Sequence, residues 1–421
     1  MSSEQIKKLT ESVKTACAKK QEEKATELLE QFIALVEKNN QEAQEPYTHA
    51  VITLLESFKT KIGASKVKKY LRKIEEVVTN NPDNKNLKKD YAKVLTLSLI
   101  AMSNKGQKRA MNEIIMDLEE LAKNNPANKS IQEEYASGLN EIIQFWHKRG
   151  NFNNLRECNE KFRELMKKYP DNEKINEELV NAIVIEIDST RRRNIEKVET
   201  LLEEINAINK KLPQNKEIQR KQAKAHLIAI NRMDEKAEKN LQWLNKLKSI
   251  YKASKDDKIK ETLAEGYLTT IATHAKENKE KMDEQLNEFQ ELVENSKENE
   301  NLQTIHAQTI FATLQYTDAT NTQATMKLIN DLKEKAKHYP KNEKIIEIYT
   351  IALGLLISYY SQLKEAEETT TLLKQLEYLD NHYPDNKYVQ KMFDNISNAL
   401  KILGYEKEET EQEKEENKFY T

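Results

Sequence analysis

Turn-forming residues are scarce in this chain, with seven glycines and seven prolines among 421 residues. A sheet protein needs a turn roughly every 8–12 residues, so an extended β architecture is excluded. Cysteine is nearly absent: only Cys17 and Cys158 occur. Two lone thiols cannot build a disulfide framework, and they point to a reducing, cytoplasmic setting. The glycines are isolated from one another, so no glycine-rich phosphate loop is present. The start, MSSEQIKKLTESVKTACAKK, holds no apolar run, and no signal peptide is expected. Charge bias is missing too. With 68 Lys+Arg against 70 Asp+Glu, the net charge of −2 excludes a strong pull of the whole molecule toward nucleic acid or membrane. One apolar stretch, IYTIALGLLISYYSQL (348–363), runs 16 residues without charge. A spanning helix needs about 20, so this stretch reads as a buried helix and no membrane span is expected.

What is abundant is the vocabulary of helices. Lys, Glu, Leu and Ala dominate, and 33% of the residues are charged against 38% hydrophobic. The prolines stand at 46, 82, 126, 170, 213, 340 and 384, with gaps of 36, 44, 44, 43, 127 and 44. The long gap is close to three periods of about 42. Near-copies such as KYPDNEKIN (168–176) and HYPDNKYVQ (382–390) mark the same joint. An apolar slot carries the period through the proline-free part: Leu87, Ile131, Ile175, Ile218, Ile259, Leu302, Ile345 and Val389. Self-similarity at this spacing means stacked supersecondary units.

Each unit reads as two helices. After each joint apolar residues recur at helical spacing, as at Leu87, Tyr91, Leu95 and Leu99. About 19 residues past the slot stand Gly106, Gly150, Asn194, Asn278 and Asn321. Gly and Asn tolerate the left-handed conformation, so these residues are expected to end the first helix. A second amphipathic run follows, for example Leu202, Ile205 and Ile208. Proline has no N–H and closes the second helix; the Asp or Asn after it can cap the next first helix. On this reading no proline falls inside a helix. The expected pairs are 3–38, 45–80, 85–124, 129–168, 173–211, 216–252, 257–295, 300–338 and 343–382, with a capping helix at 387–403. Residues 1–404 thus form the repeat array. Residues 405–421, with seven Glu and three Lys from 406 on, read as an acidic polar tail.

The run Leu87-x3-Tyr91-Ala92-x2-Leu95, repeated as Ile131-x3-Tyr135-Ala136-x2-Leu139 and Ile259-x3-Leu263-Ala264-x2-Tyr267, resembles the first helix of the tetratricopeptide repeat. The closing proline, followed by Asn in PDN, is similar as well. The resemblance covers about 45–403. It departs in length, since that repeat has about 34 residues and these have about 43, and in the large residues Ile114, Cys158, Leu202 and Leu286 where the family has small ones. HEAT and armadillo arrays have periods nearer 43 but often carry mid-helix prolines, which are absent here. The fold expected is all-α: a right-handed α-solenoid of about nine stacked helix-turn-helix repeats plus a C-terminal capping helix. The use that the resemblance implies is protein–protein interaction.

Catalytic chemistry finds no support. The histidines are His49, His147, His226, His274, His306, His338 and His382, and no two sit at i, i+3 or i, i+4 as a helical metal site requires. His338 and His382 precede Tyr-Pro at repeat ends, where a donor suits a helix C-terminus. His226 and His306 fall at core-like positions of first helices. Cys158 takes a slot held elsewhere by Ile114, Leu202 and Leu286, so it reads as a small hydrophobe rather than a nucleophile. No enzyme activity, metal or cofactor is expected.

Two surfaces remain. The first is the inner face built from the first helices. By the tetratricopeptide resemblance its exposed positions would include Lys89, Lys93, Thr96, Asn140, Asn181, Lys224 and Gln308, with apolar Leu227, Leu268 and Phe311 at equivalent turns. That mixture suits a protein or peptide segment lying in a groove, and it is the main reading: a non-enzymatic scaffold. It lacks the family's carboxylate-clamp arrangement. The second surface is an edge. All ten arginines lie between Arg72 and Arg232, and Arg109, Arg149, Arg191, Arg192, Arg193 and Arg232 sit where a first helix turns into a second (105–232). Such a ridge would serve a nucleic-acid or phosphate-binding adaptor. The plainer account is that cations favour helix C-termini.

Overall fold

The computed structural model describes residues 3–37, 41–191, 194–232 and 237–405. The tail from 406 on and the arginines at 192 and 193 lie outside them. Nineteen helices and no strand occur among the described residues. They run α1 Ser3–Ala18, α2 Glu22–Val36, α3 Gln41–Phe58, α4 Ala64–Thr79, α5 Lys85–Asn104, α6 Lys108–Asn124, α7 Lys129–Lys148, α8 Phe152–Lys168, α9 Glu173–Ser189 and α10 Ile195–Lys211. There follow α11 Lys216–Arg232, α12 Ala237–Ser254, α13 Asp257–Glu277, α14 Lys279–Glu294, α15 Glu300–Tyr316, α16 Thr322–His338, α17 Glu343–Leu363, α18 Ala366–His382 and α19 Lys387–Ile402. The fold is an all-α, tetratricopeptide-like helical repeat with elongated units.

The chain divides into two compact units, Met1–Ala225 and His226–Thr421, and the division falls within α11. In the first unit the first helices α1, α3, α5, α7 and α9 pack each on the next. The second helices α2, α4, α6 and α8 each lie against their own partner and against the following first helix, and α10 lies against α9. The second unit repeats this with α13, α15, α17 and α19 as its row. The core is the seam between the rows. In the second unit Ile310, Leu314, Ile329, Leu332, Tyr349, Leu353 and Leu376 are all buried in it. α17 is the one helix among the described residues long and apolar enough to cross a membrane, and 61% of its apolar window is buried inside the fold.

The joint between repeats has a defined chemistry. Asn84, Asn128, Asn172, Asn299, Asn342 and Asn386 are N-caps whose side-chain oxygens accept from backbone N–H groups of the first turn. Asn215 accepts from Ile218 N at 2.9 Å in the same way. The amide of the cap then donates backward to the preceding first helix: Asn84 to Glu45 (3.0 Å), Asn172 to Glu133 (3.1 Å), Asn215 to Glu173 (2.7 Å), Asn299 to Glu261 (3.0 Å) and Asn342 to Thr304 (3.0 Å). Asp would cap equally well, but only Asn offers the donor. Four residues on, Gln132, Asn176, Gln219 and Gln303 donate to carbonyls that the ending second helix and its joint leave open. Tyr169 and Tyr339 reach the previous joint, donating to the carbonyls of Pro126 (2.9 Å) and Lys297 (2.8 Å).

Two expectations are corrected. Gly106 and Gly150 do end first helices at φ of 67° and 64°, but Asn194, Asn278 and Asn321 do not adopt positive φ. They are N-caps of the second helices, accepting from Lys197, Lys281 and Ala324 N–H groups. Asn serves either end of a link, and a short link does not say which. Pro46 lies inside α3, which begins at Gln41 rather than near 45. At the sixth position it sacrifices one helical bond just beyond the turn whose N–H groups are free anyway.

Candidate binding surfaces

The open face of the first-helix row differs between the two units. In the first unit it is a ladder of polar side chains that satisfy one another across repeats. His49 Nε2 lies 2.8 Å from Asp90. Lys93 sits between Glu134 (3.6 Å) and Glu56 (4.0 Å). Thr96 donates to the carbonyls of Ala92 (3.1 Å) and Glu134 (3.2 Å). Asn140 donates to Glu178 and accepts from Asn181 at 2.9 Å. Lys174 adds an ion pair to Glu178 at 2.8 Å. Burial opposes ionisation of Glu178, yet the hydrogen bonds from Lys174 and Asn140 outweigh it and hold the carboxyl below its usual range. Burial also pulls the Lys221 ammonium down, with Glu178 and Glu177 opposing; its Nζ donates to the Glu177 carbonyl at 2.9 Å.

This places the expected groove residues. Lys89, Lys224 and Gln308 are exposed, and Lys93 and Asn181 are half-buried. Thr96 and Asn140 are only 4% exposed, which corrects their assignment to an open surface. The cause is the neighbouring first helix, whose polar groups, 38 and 41 residues further along the chain, close over them. Gln308 belongs to the second unit and the other six to the first.

Among the described residues of the second unit such bonds between first helices are fewer, as where Thr269 donates to Asn231 at 2.7 Å and Asn301 to Glu261 at 3.1 Å. From Gly266 to Ala275, Asn301 to Thr317 and Ile348 to Leu363 the sequence has no Asp, Glu, Lys or Arg. These stretches fall on α13, α15 and α17, which pack side by side. Leu268, Phe311, Ala312 and Ile351 are half-buried there, Gln308 and Gln315 are exposed, and Leu355 is 45% exposed. Near the row's N-terminal end, burial and the charge of Glu261 push the Glu265 carboxyl upward. Leu268, Phe311 and the uncharged run holding Leu355 are legible in the sequence; that the three uncharged runs lie side by side follows from the packing of the helices.

Three histidines are interior. His226 and His306 are buried, and desolvation lowers them to about 4 and about 3, with Lys246 and Lys335 adding to the effect. The Gln285 side-chain amide donates to His274 Nδ1 at 3.0 Å. His338 and His382 bond the carbonyls of Glu334 (2.8 Å) and Tyr378 (2.9 Å) at helix C-termini. Burial raises the Cys158 thiol to about 11, the wrong direction for a nucleophile.

The links between first and second helices in the first unit carry the expected arginines. Arg109 is 95% exposed and pairs with Glu113 at 3.0 Å. Arg149 lies over the Phe145 ring (4.4 Å) and against Gly106, while Lys108 lies over Trp146 (5.0 Å). Arg191 is exposed. Arg232 is half-buried and belongs to the second unit.

Comparison with known proteins found no matching family model and no match among curated proteins. Among solved structures, a human IFIT1 dimer with PPP-AAAA is similar at 15% identity, over 92% of this chain and 89% of that one, with a TM-score of 0.29. A human IFIT1 dimer with m7Gppp-AAAA is similar at 16% identity, over 93% and 88%, with a TM-score of 0.27. Superpositions this loose fix neither a shared ancestor nor a shared ligand.

Proposed function

We infer that the protein is a non-enzymatic scaffold that binds a protein segment on the first-helix face of its second unit. The observation that carries this is the charge gap across α13, α15 and α17, with Leu355 45% exposed beside half-buried Ile351 and Phe311. A solvated face in a chain with 33% charged residues would carry charges there, as the first unit's does. Apolar side chains on adjacent helices suit the apolar stripe of a docking helix, read at i, i+3, i+4 and i+7. Gln308 and Gln315 offer hydrogen bonds at its sides. Glu261 and Glu265 favour a basic residue at the partner's end nearest the joints.

The test is partner capture with Leu355→Asp and Ile351→Asp, followed by affinity measurement on the captured segment. Each change places a carboxylate where apolar area would be covered, so affinity should fall at least about tenfold. Lys89→Glu on the first unit's face should leave it unchanged. Equal losses from all three variants would refute the assignment.

A further inference from the structure

A second binding surface lies in the first unit, at the links joining first helices to second helices. The links 19–21, 59–63, 105–107, 149–151 and 190–194 read KKQ, KTKIG, KGQ, RGN and TRRRN, with no Asp or Glu. In the second unit the corresponding links 317–321 and 364–365 read TDATN and KE.

Contacts show that consecutive links adjoin. The Arg149 guanidinium lies against Gly106 of the preceding link. His147, just before the fourth link, bonds Ser189 just before the fifth at 2.8 Å. Gln107 lines one groove with Ala64 and Ser65, which follow the second link. That groove, of about 580 Å³, is lined further by Lys68, Lys69, Arg72 and Lys73 together with Glu37 and Glu76.

The charge state of this edge sets it apart. Lys59, Lys61, Lys105, Lys148, Arg149 and Arg191 are exposed, and among the described residues none has a carboxylate partner. Some cations on the second helices do have partners: Lys66, Lys69 and Lys73 pair with Glu22, Glu30 and Glu37, and Lys161 and Arg163 pair with Glu119 and Glu204. Others there, Lys68, Arg72 and Arg156, are exposed and add to the cationic surface. What sets the links apart is that they carry cations in succession with no carboxylate among them.

We propose that this edge binds the phosphodiester backbone of nucleic acid without regard to sequence. Packed helices lie ~8–10 Å apart, so cations recur at about that interval. Phosphates on one strand recur every ~3.4 Å, so successive links meet roughly every third phosphate. Phe145 and Trp146 are buried beneath Arg149 and Lys108 and unavailable for base stacking, and Phe152 after the fourth link is the single exposed ring beside the five links among the described residues. Contact is therefore with the backbone. An acidic protein fits less well, because a protein interface needs a desolvated apolar centre and the links offer only the lone exposed Phe152 beside them.

The test is fluorescence anisotropy of the full chain with labelled 20-nucleotide oligo-dT and a mixed-sequence strand. Five links at about one phosphate each give a log–log salt slope of roughly −3.5, or about a hundredfold loss of affinity between 50 and 200 mM salt. The combined variant Lys59→Gln, Lys61→Gln, Lys105→Gln, Lys148→Gln, Arg191→Gln keeps the residues packed on aromatic rings, and its circular dichroism should be unchanged. Lys19 and Lys20, Arg149 and the two remaining arginines of the fifth link keep three links charged, so the slope should fall to about −2 and binding should weaken at least tenfold at 50 mM. Leu355→Asp should leave both strands bound, which separates this site from the one on the second unit. An unchanged slope in the combined variant would overturn the proposal. So would displacement of the oligonucleotide by polyglutamate at equal charge concentration, which would assign the edge to an acidic protein.

Discussion

Asn172 performs two tasks that substitutions can separate. Its side-chain oxygen accepts from Ile175 N at 3.1 Å, and its amide donates to Glu133 at 3.1 Å. The cap is worth about 1 kcal/mol. The bond to the carboxylate adds about 1 kcal/mol after allowance for partial exposure. Asn172→Ser keeps the cap and should cost about 1 kcal/mol; Asn172→Ala loses both and should cost about 2 kcal/mol. Asn172→Asp also keeps the cap but sets a second carboxylate against Glu133. Lys129, 3.6 Å from Glu133, softens the repulsion to about 1 kcal/mol, for a total near 2 kcal/mol. That deficit should shrink as pH falls through the carboxylate range, because the crowded pair takes up a proton more readily when folded. Adding Glu133→Gln to Asn172→Asp should restore about 1.5 kcal/mol. The assay is urea unfolding followed by Trp146, the tryptophan of the first unit, in a Trp243→Phe background. If Ser, Ala and Asp at 172 all cost the same and Glu133→Gln rescues nothing, the donor role is wrong.

Other outcomes follow from the same structure. Arg163 bonds Glu204 at 2.8 Å and Glu186 at 2.9 Å, so Arg163→Met should cost about 3 kcal/mol in the Trp146 assay by stranding two carboxylates. Burial opposes the Glu186 charge, but Arg163 and Lys197 hold its carboxyl below the usual range. Its stabilisation is therefore present above the unfolded value and lost as pH falls through the folded one. In the second unit His226 and His306 titrate at about 4 and about 3 when folded. An unfolded histidine titrates near 6.5, so stability should fall from pH 6.5 downward, by roughly 2 kcal/mol for each at pH 5. His306→Leu should flatten that slope in unfolding followed by Trp243. No change between pH 7 and 5 would refute their neutrality.

Much of the fold was legible because the repeat prints it many times. The proline spacing and the slot from Leu87 to Val389 give the period without any single residue having to be decisive. Single residues were harder. Pro46 reads as a terminator because the local rule holds for the other six, yet near a helix start it costs little. Asn194, Asn278 and Asn321 fit either a C-terminal left-handed residue or an N-cap, and only backbone angles decide. The surfaces were least legible. Thr96 and Asn140 are polar and face the open side by period, but partners one repeat away bury them. Likewise, the sequence shows the cations of Lys66, Lys161 and Lys105 alike; which of them are neutralised depends on the adjoining second helix.

The central claim, that the second unit's uncharged face holds a protein segment, is met most directly by site-specific photocrosslinking to the captured partner. A crosslinking residue at position 355 should form a polypeptide adduct mapping to one apolar stripe at helical spacing, and one at position 89 should form none. Equal adducts from both positions, or adducts from position 89 alone, would contradict the account.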